Sequence, residues 1–164
     1  MNQLHQVLVA AFFLTSCVTA GTTADATCVS SGQRWNGGNE GSPEMNPGKA
    51  CITCHTSGGE GPKYAVAGTV YSDGSDTDGC NGVAGVSVEL IPVGPGNPVT
   101  LTTNSAGNFF ASANQMFAGK YTARVIQNGK ARVMTTPQTN GDCNSCHTLD
   151  GSGGAPGRVM TPSL

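Results

Sequence analysis

The stretch Gly85–Ile91, GVSVELI, decides the fold. Val86, Val88 and Leu90 alternate with Ser87 and Glu89, so an extended chain here has one apolar and one polar face. Reading outward, the same period recurs. AVAGTVY (65–71) alternates through Val66, Gly68 and Val70, and PVTLTT (98–103) sets Val99 and Leu101 on one face. GNFFAS (107–112) is short and aromatic. KYTARVI (120–126) sets Tyr121, Ala123 and Val125 against Thr122, Arg124 and Ile126. Asn128-Gly129 then provides a two-residue hairpin turn into KARVM (130–134). Six or seven short strands divided by turn residues predict a mainly β fold, a small antiparallel β-sandwich over 65–135.

Composition agrees with a small, loop-rich domain carrying appendages. The 164 residues include 24 glycines, with 37% hydrophobic and 5% aromatic residues, enough for a modest core. Charged residues make up 11% and the formal net charge is −2, which leaves no basic patch for a nucleic-acid partner.

Three stretches inside the β region carry a resemblance. GVAGVSVEL (82–90), TTNSAGNF (102–109) and FAGKYTARV (117–125) follow one another in the order of a Gly-x-x-Gly strand opening, an Ala-Gly turn before an aromatic strand, and a Gly-x-Tyr strand. This resembles the carboxypeptidase regulatory-like domain. The resemblance implies a transthyretin-type sandwich and assigns no catalytic residue.

The chain begins with an export signal over residues 1–16. Its apolar run, Val7 to Leu14, is too short to span a bilayer, and no Lys or Arg precedes Cys17. Leu14-Thr15-Ser16-Cys17 is similar to a bacterial lipobox, which implies that Cys17 is lipidated and anchors the chain to a bilayer. The competing reading is an ordinary signal cleaved after Ala20. Residues 17–27 read as a flexible tether. Val18 in place of Asp after the cysteine resembles outer-membrane sorting in enteric lipoproteins, so the expected location is the bacterial cell envelope, possessing a lipid anchor.

Seven cysteines remain to be assigned: 17, 28, 51, 54, 80, 143 and 146. Lipidation takes Cys17, and two Cys-x-x-Cys pairs take four more. Cys28 and Cys80 are left, and in an oxidising compartment a disulfide between them is the economical reading. Two unrelated thiols are the alternative.

The pairs lie in CITCH (51–55) and CNSCH (143–147), inside irregular segments 28–64 and 136–164 that flank the sandwich. They belong to an internal repeat. MNPGKACITCHTSGGEGP and MTTPQTNGDCNSCHTLDGSGGAP both run Met, Pro, CxxCHT, Gly-Gly, Pro. Each CxxCH is an attachment motif for haem c, with thioethers from Cys51 and Cys54 or Cys143 and Cys146 and proximal iron ligation by His55 or His147. A chain this poor in aromatic residues needs covalent attachment, because packing would not hold a porphyrin. Zinc can also use two Cys-x-x-Cys pairs, but here the pairs are far apart and each is followed by His. A thioredoxin-like site needs a βαβ context that is absent. In these motifs the chain resembles exported dihaem c-type cytochromes.

The third histidine, His5, leaves with the signal, so methionine is the expected distal ligand. The repeat favours Met45 and Met134. Met160 rivals Met134 for the second iron, Met116 reads as packing, and an open or water-bound sixth site competes with both ligands. Trp35 lies close before the first motif, as a porphyrin neighbour or as packing. Asp73, Asp76 and Asp78 lack the spacing of a calcium loop and read as a solvated turn.

The first haem segment feeds the first strand and the last strand feeds the second. If those strands are antiparallel, the two sites share one end of the sandwich. The expected function is electron transfer between redox protein partners by an exported, membrane-anchored dihaem cytochrome. It is not an enzyme, since both histidines are committed to iron and no acid–base group is visible beside them. The alternatives are a haem-bearing adhesion or binding module and a dihaem peroxidase.

Overall fold

The computed structural model describes residues 42–57, 61–72 and 82–163. The signal and tether, Cys17, the Cys28–Cys80 pair, Trp35 and the acidic turn with Asp73, Asp76 and Asp78 lie outside the described residues. Among the described residues no helix is long and apolar enough to cross a membrane.

The fold is mainly β. In chain order the elements are α1 (Cys51–Ser57), β1 (Val66–Tyr71), β2 (Ser87–Pro92), β3 (Val99–Thr102), β4 (Asn108–Ala111), a 3₁₀ turn (Ala113–Gln115), β5 (Tyr121–Gln127), β6 (Lys130–Gln138), α2 (Cys143–Cys146) and β7 (Val159–Met160). They form a three-stranded sheet ordered β4-β1-β7 and a four-stranded sheet ordered β3-β2-β5-β6. All pairings are antiparallel except β1 with β7.

The alternating residues build the core between the sheets. Val66, Val70, Phe109 and Ala111 come from one sheet, and Val88, Leu90, Tyr121 and Val125 from the other. Val99, Leu101 and Ala123 pack against this cluster. On the far face of the larger sheet, Glu89 and Arg124 are register partners and form an ion pair. The β5–β6 turn is the expected Asn-Gly hairpin, with φ of 52° at Asn128 and 73° at Gly129.

Two glycines of the Gly-x-x-Gly and Ala-Gly signatures meet where the chain crosses itself. A Cβ on Gly107, whose φ is +78°, would lie 2.4 Å from Gly82 Cα, and a Cβ on Gly82 would lie 1.9 Å from the Ala106 carbonyl oxygen. Backbone touches backbone there, so neither position has room for a side chain.

Three features depart from the sequence reading. First, β6 runs to Gln138, past 135. Second, the tail is not wholly irregular, because β7 joins β1 as a two-residue parallel edge. Two residues are too few to show a period. Third, all six residues of β1 are buried, including Ala67, Thr69 and Tyr71, which alternation places on the outer face. The segments that flank the sandwich cover that face.

Gly107→Ala is expected to lower the unfolding free energy by about 1–3 kcal/mol or more, since the methyl has no space. Gly129→Ala has the same sign of φ but nothing within 4 Å of its Cβ, and is expected to cost only about 1 kcal/mol. Urea unfolding of the two variants checks the order.

Candidate functional site

Both CxxC stretches form helical turns. Three residues apart on a helix, the two thiols of each pair share one side. In α1 the Cys54 amide donates to the Ala50 carbonyl at 3.1 Å, and in α2 the His147 amide donates to the Cys143 carbonyl at 2.8 Å. The first thiol of each pair repeats one contact. Cys51 Sγ faces the Lys49 carbonyl at 3.4 Å, and Cys143 Sγ faces the Gly141 carbonyl at 3.7 Å. The internal repeat is therefore repeated in local structure.

The two segments meet on β1. They do so by a different route from the one expected, because β1 and β6 belong to different sheets. After β6 the chain returns to the edge of β1. There the Ala67 amide donates to the Gly141 carbonyl at 2.9 Å, and Ala67 and Asp142 form a parallel bridge. Close approach requires Gly141, since a Cβ would lie 1.8 Å from the Ala65 carbonyl oxygen. It also requires Gly68, whose Cβ would lie 2.9 Å from that of Cys143.

A buried polar network holds both segments in place. Thr69 is 0% exposed, Asn144 3% and Asn108 4%. The Thr69 amide donates to Asn144 Oδ1 at 3.1 Å, and its hydroxyl donates to Asn108 Oδ1 at 2.7 Å. Asn108 Nδ2 reaches the carbonyls of Pro43 and Met45 at 3.2 and 3.0 Å. Thr69 Oγ1 accepts from the Gly48 amide at 2.9 Å. Asn144, the first spacer of CNSCH, donates through Nδ2 to the Lys49 carbonyl at 2.9 Å and to Thr69 Oγ1 at 3.1 Å. Asp142 Oδ2 accepts from the amide and hydroxyl of Thr53, the second spacer of CITCH, at 2.8 and 2.9 Å.

The histidines differ in their support. His147 Nδ1 lies 2.7 Å from the Gly157 carbonyl oxygen. A carbonyl only accepts, so Nδ1 carries the proton and the Nε2 lone pair is left for a metal. His55 Nδ1 is buried with no hydrogen-bond partner among the described residues. Its ring is set by packing: Tyr64 stands 5.0 Å away and itself stacks on Phe110 at 4.7 Å. A Cβ on Gly61 would lie 2.8 Å from His55 Nδ1.

The four thiols are not in disulfides. Burial, then the Asp142 carboxylate, pushes the Cys51 thiol up to about 11. The same two causes push Cys143 up to about 12, with Tyr121 acting in the opposite direction. The Tyr121 hydroxyl is raised, first by burial and then by Cys143, and donates to the Asn140 carbonyl at 2.7 Å. Burial raises Tyr64 as well, with Cys51 as the second cause.

The methionines fall into two settings. Met134, opposite Ala123 on β6, and Met116 pack against the core. Met160 lies on β7 beside Tyr71, and Met45 precedes α1 with its carbonyl held by Asn108. The residues that sequence reading missed are Thr69, Asn108, Asp142 and Asn144. The last two lie in or beside CNSCH, but only the fold shows what they bond.

Among the described residues no three His, Cys, Asp or Glu side chains gather to hold a bare ion. The donors instead form two separate sets, each with two thiols on one side of a helical turn and an imidazole at its end. That arrangement fits a group attached through two sulfurs and bound by one nitrogen, as haem c is. No known protein family matches this chain, and no curated protein or solved structure matches it.

A thiol raised this far stays protonated at neutral pH. In the chain with its cysteines unmodified, iodoacetamide should label Cys51 about two, and Cys143 about three, orders of magnitude more slowly at pH 8 than an unfolded-chain thiol. The fold retains these protons where the unfolded chain has lost them. Their contribution to stability is therefore full below the ordinary thiol range of about 8.5 and falls as pH rises. It is lost above about 11 to 12. Peptide-resolved labelling and denaturation across pH 8–12 check both.

Proposed function

We propose that this chain is an exported, lipid-anchored dihaem c-type cytochrome that transfers electrons between redox protein partners. The observation that carries the reading is the pairing of two CxxCH segments on one strand, with His147 held by the Gly157 carbonyl so that Nε2 is free to bind iron. A carbonyl partner of this kind orients an iron-binding imidazole and raises its basicity.

Each residue then has a stated part. Cys51, Cys54, Cys143 and Cys146 attach the porphyrins. These four thiols would hold the two groups through thioether bonds. His55 and His147 supply the proximal nitrogens. Met45 and Met134 are the proposed distal ligands, with Met160 as the rival of Met134. Haem c supplies a reversible one-electron iron couple. The polar network under both segments keeps the two sites at a fixed separation, which exchange of electrons between them requires. Cys17 holds the protein to the bilayer, and the Cys28–Cys80 disulfide ties the N-terminal arm to the sandwich.

Purified from a host able to mature c-type cytochromes, the protein should be reduced by dithionite and reoxidised without loss, with no turnover of peroxide. Peroxide consumption at a steady rate would replace the transfer reading with an enzymatic one. His55→Ala should retain covalent haem, since the thioethers are untouched, while its visible spectrum and one midpoint potential change. A His55→Ala protein with an unchanged spectrum and unchanged potentials would remove His55 from the iron.

A further inference from the structure

Asp142 is a buried carboxylate that attachment and iron binding leave unused. It is 4% exposed and immediately precedes Cys143. An Asp at the start of a helix usually caps that helix with its own side chain. Asp142 makes no such cap on α2. Its Oδ2 reaches instead to the other attachment segment, where it accepts both the amide and the hydroxyl hydrogen bonds of Thr53. Its Oδ1 is buried and has no hydrogen-bond partner among the described residues. A carboxylate oxygen kept from water without a donor is costly, and its retention calls for a use.

The carboxylate is placed to act on both sites. Its backbone is bridged to β1 at Ala67, beside Cys143, and its side chain holds the CITCH helix at Thr53. Its field reaches Cys51 and Cys143, one thiol in each segment. Oxidation of a haem iron adds one positive charge, and a nearby buried negative charge, weakly screened, favours that oxidised state.

Resting on the dihaem reading, we propose that Asp142 is a positioning residue shared by the two attachment segments. Its Oδ2 clamps α1 to α2, and its incompletely bonded charge lowers the reduction potential of both haem sites together.

Three variants of the full chain test this. Asp142→Asn keeps an oxygen to accept from Thr53 but removes the charge, Asp142→Ala removes both, and Asp150→Asn changes an exposed carboxylate of the same segment. In the haem-loaded protein, potentiometric titration should show both midpoint potentials raised in Asp142→Asn, with neither moved in Asp150→Asn. In the chain expressed without haem, exchange of the Thr53 amide should be at least tenfold faster in Asp142→Ala and close to native in Asp142→Asn. A native potential at either site in Asp142→Asn overturns the shared electrostatic role, and unchanged Thr53 exchange in Asp142→Ala overturns the clamp. If Asp142→Ala does not fold, Asp142→Asn still decides the electrostatic role. A native chain that carries no haem overturns the dihaem reading and the electrostatic role with it, while Thr53 exchange still decides the clamp.

Discussion

The hydrogen bonds around Thr69 are the constraint on which the rest of the molecule depends. Thr69 sits at the centre of β1, fully buried, with a hydroxyl and an amide that the sheet ladder and water leave to side chains. Asn108 and Asn144 satisfy them, one from the neighbouring strand and one from the CNSCH turn. Buried polar groups of this kind are costly when unmade and specific when made. Here the partners also grip the carbonyls of Pro43, Met45 and Lys49, so completing the network places the chain that leads into CITCH. One strand thereby serves two purposes. Its inner face closes an apolar core with Phe109, and its edge and outer face hold the two Cys-x-x-Cys-His segments through Gly141, Asn144 and Gly48.

Much of the sandwich was legible from period-two alternation. Val86, Val88 and Leu90 are buried as their spacing required, and Tyr121 and Val125 face the same core. Asn128-Gly129 turns as its residue types demand. The alternation of β1 told half the truth. Val66 and Val70 point inward, but Thr69 and Tyr71 are buried too, because what covers them comes from segments without a period of their own. A Thr on the polar face of a strand has no local mark that separates solvent contact from a buried network. The parallel β7 edge and the return of Gly141 and Asp142 to β1 are likewise long-range pairings with no local pattern.

The candidate site was legible in its chemistry and not in its geometry. CxxCH declares two thiols and an imidazole, and the helical turns deliver them on adjacent positions. The Gly157 carbonyl that orients His147 lies ten residues downstream in a glycine-rich tail, where no motif would single it out. Asp142 lies outside the motif and carries no mark in the sequence, yet its side chain bonds the opposite segment. The two copies of the repeat are thus alike in their turns and unlike in their surroundings. One imidazole is held by a carbonyl, and the other is held by Tyr64 and the close approach of Gly61. Two chemically similar sets of donors therefore stand in different settings.

The most direct test is peptide-level mass spectrometry of the mature protein, made in a host that matures c-type cytochromes and digested with the cysteines unmodified. The account predicts two haem-bearing peptides, one containing Cys51 and Cys54 and the other Cys143 and Cys146, each heavier than its amino acids by one haem. Peptides of unmodified mass at both pairs, or the two pairs recovered as disulfides, would contradict it.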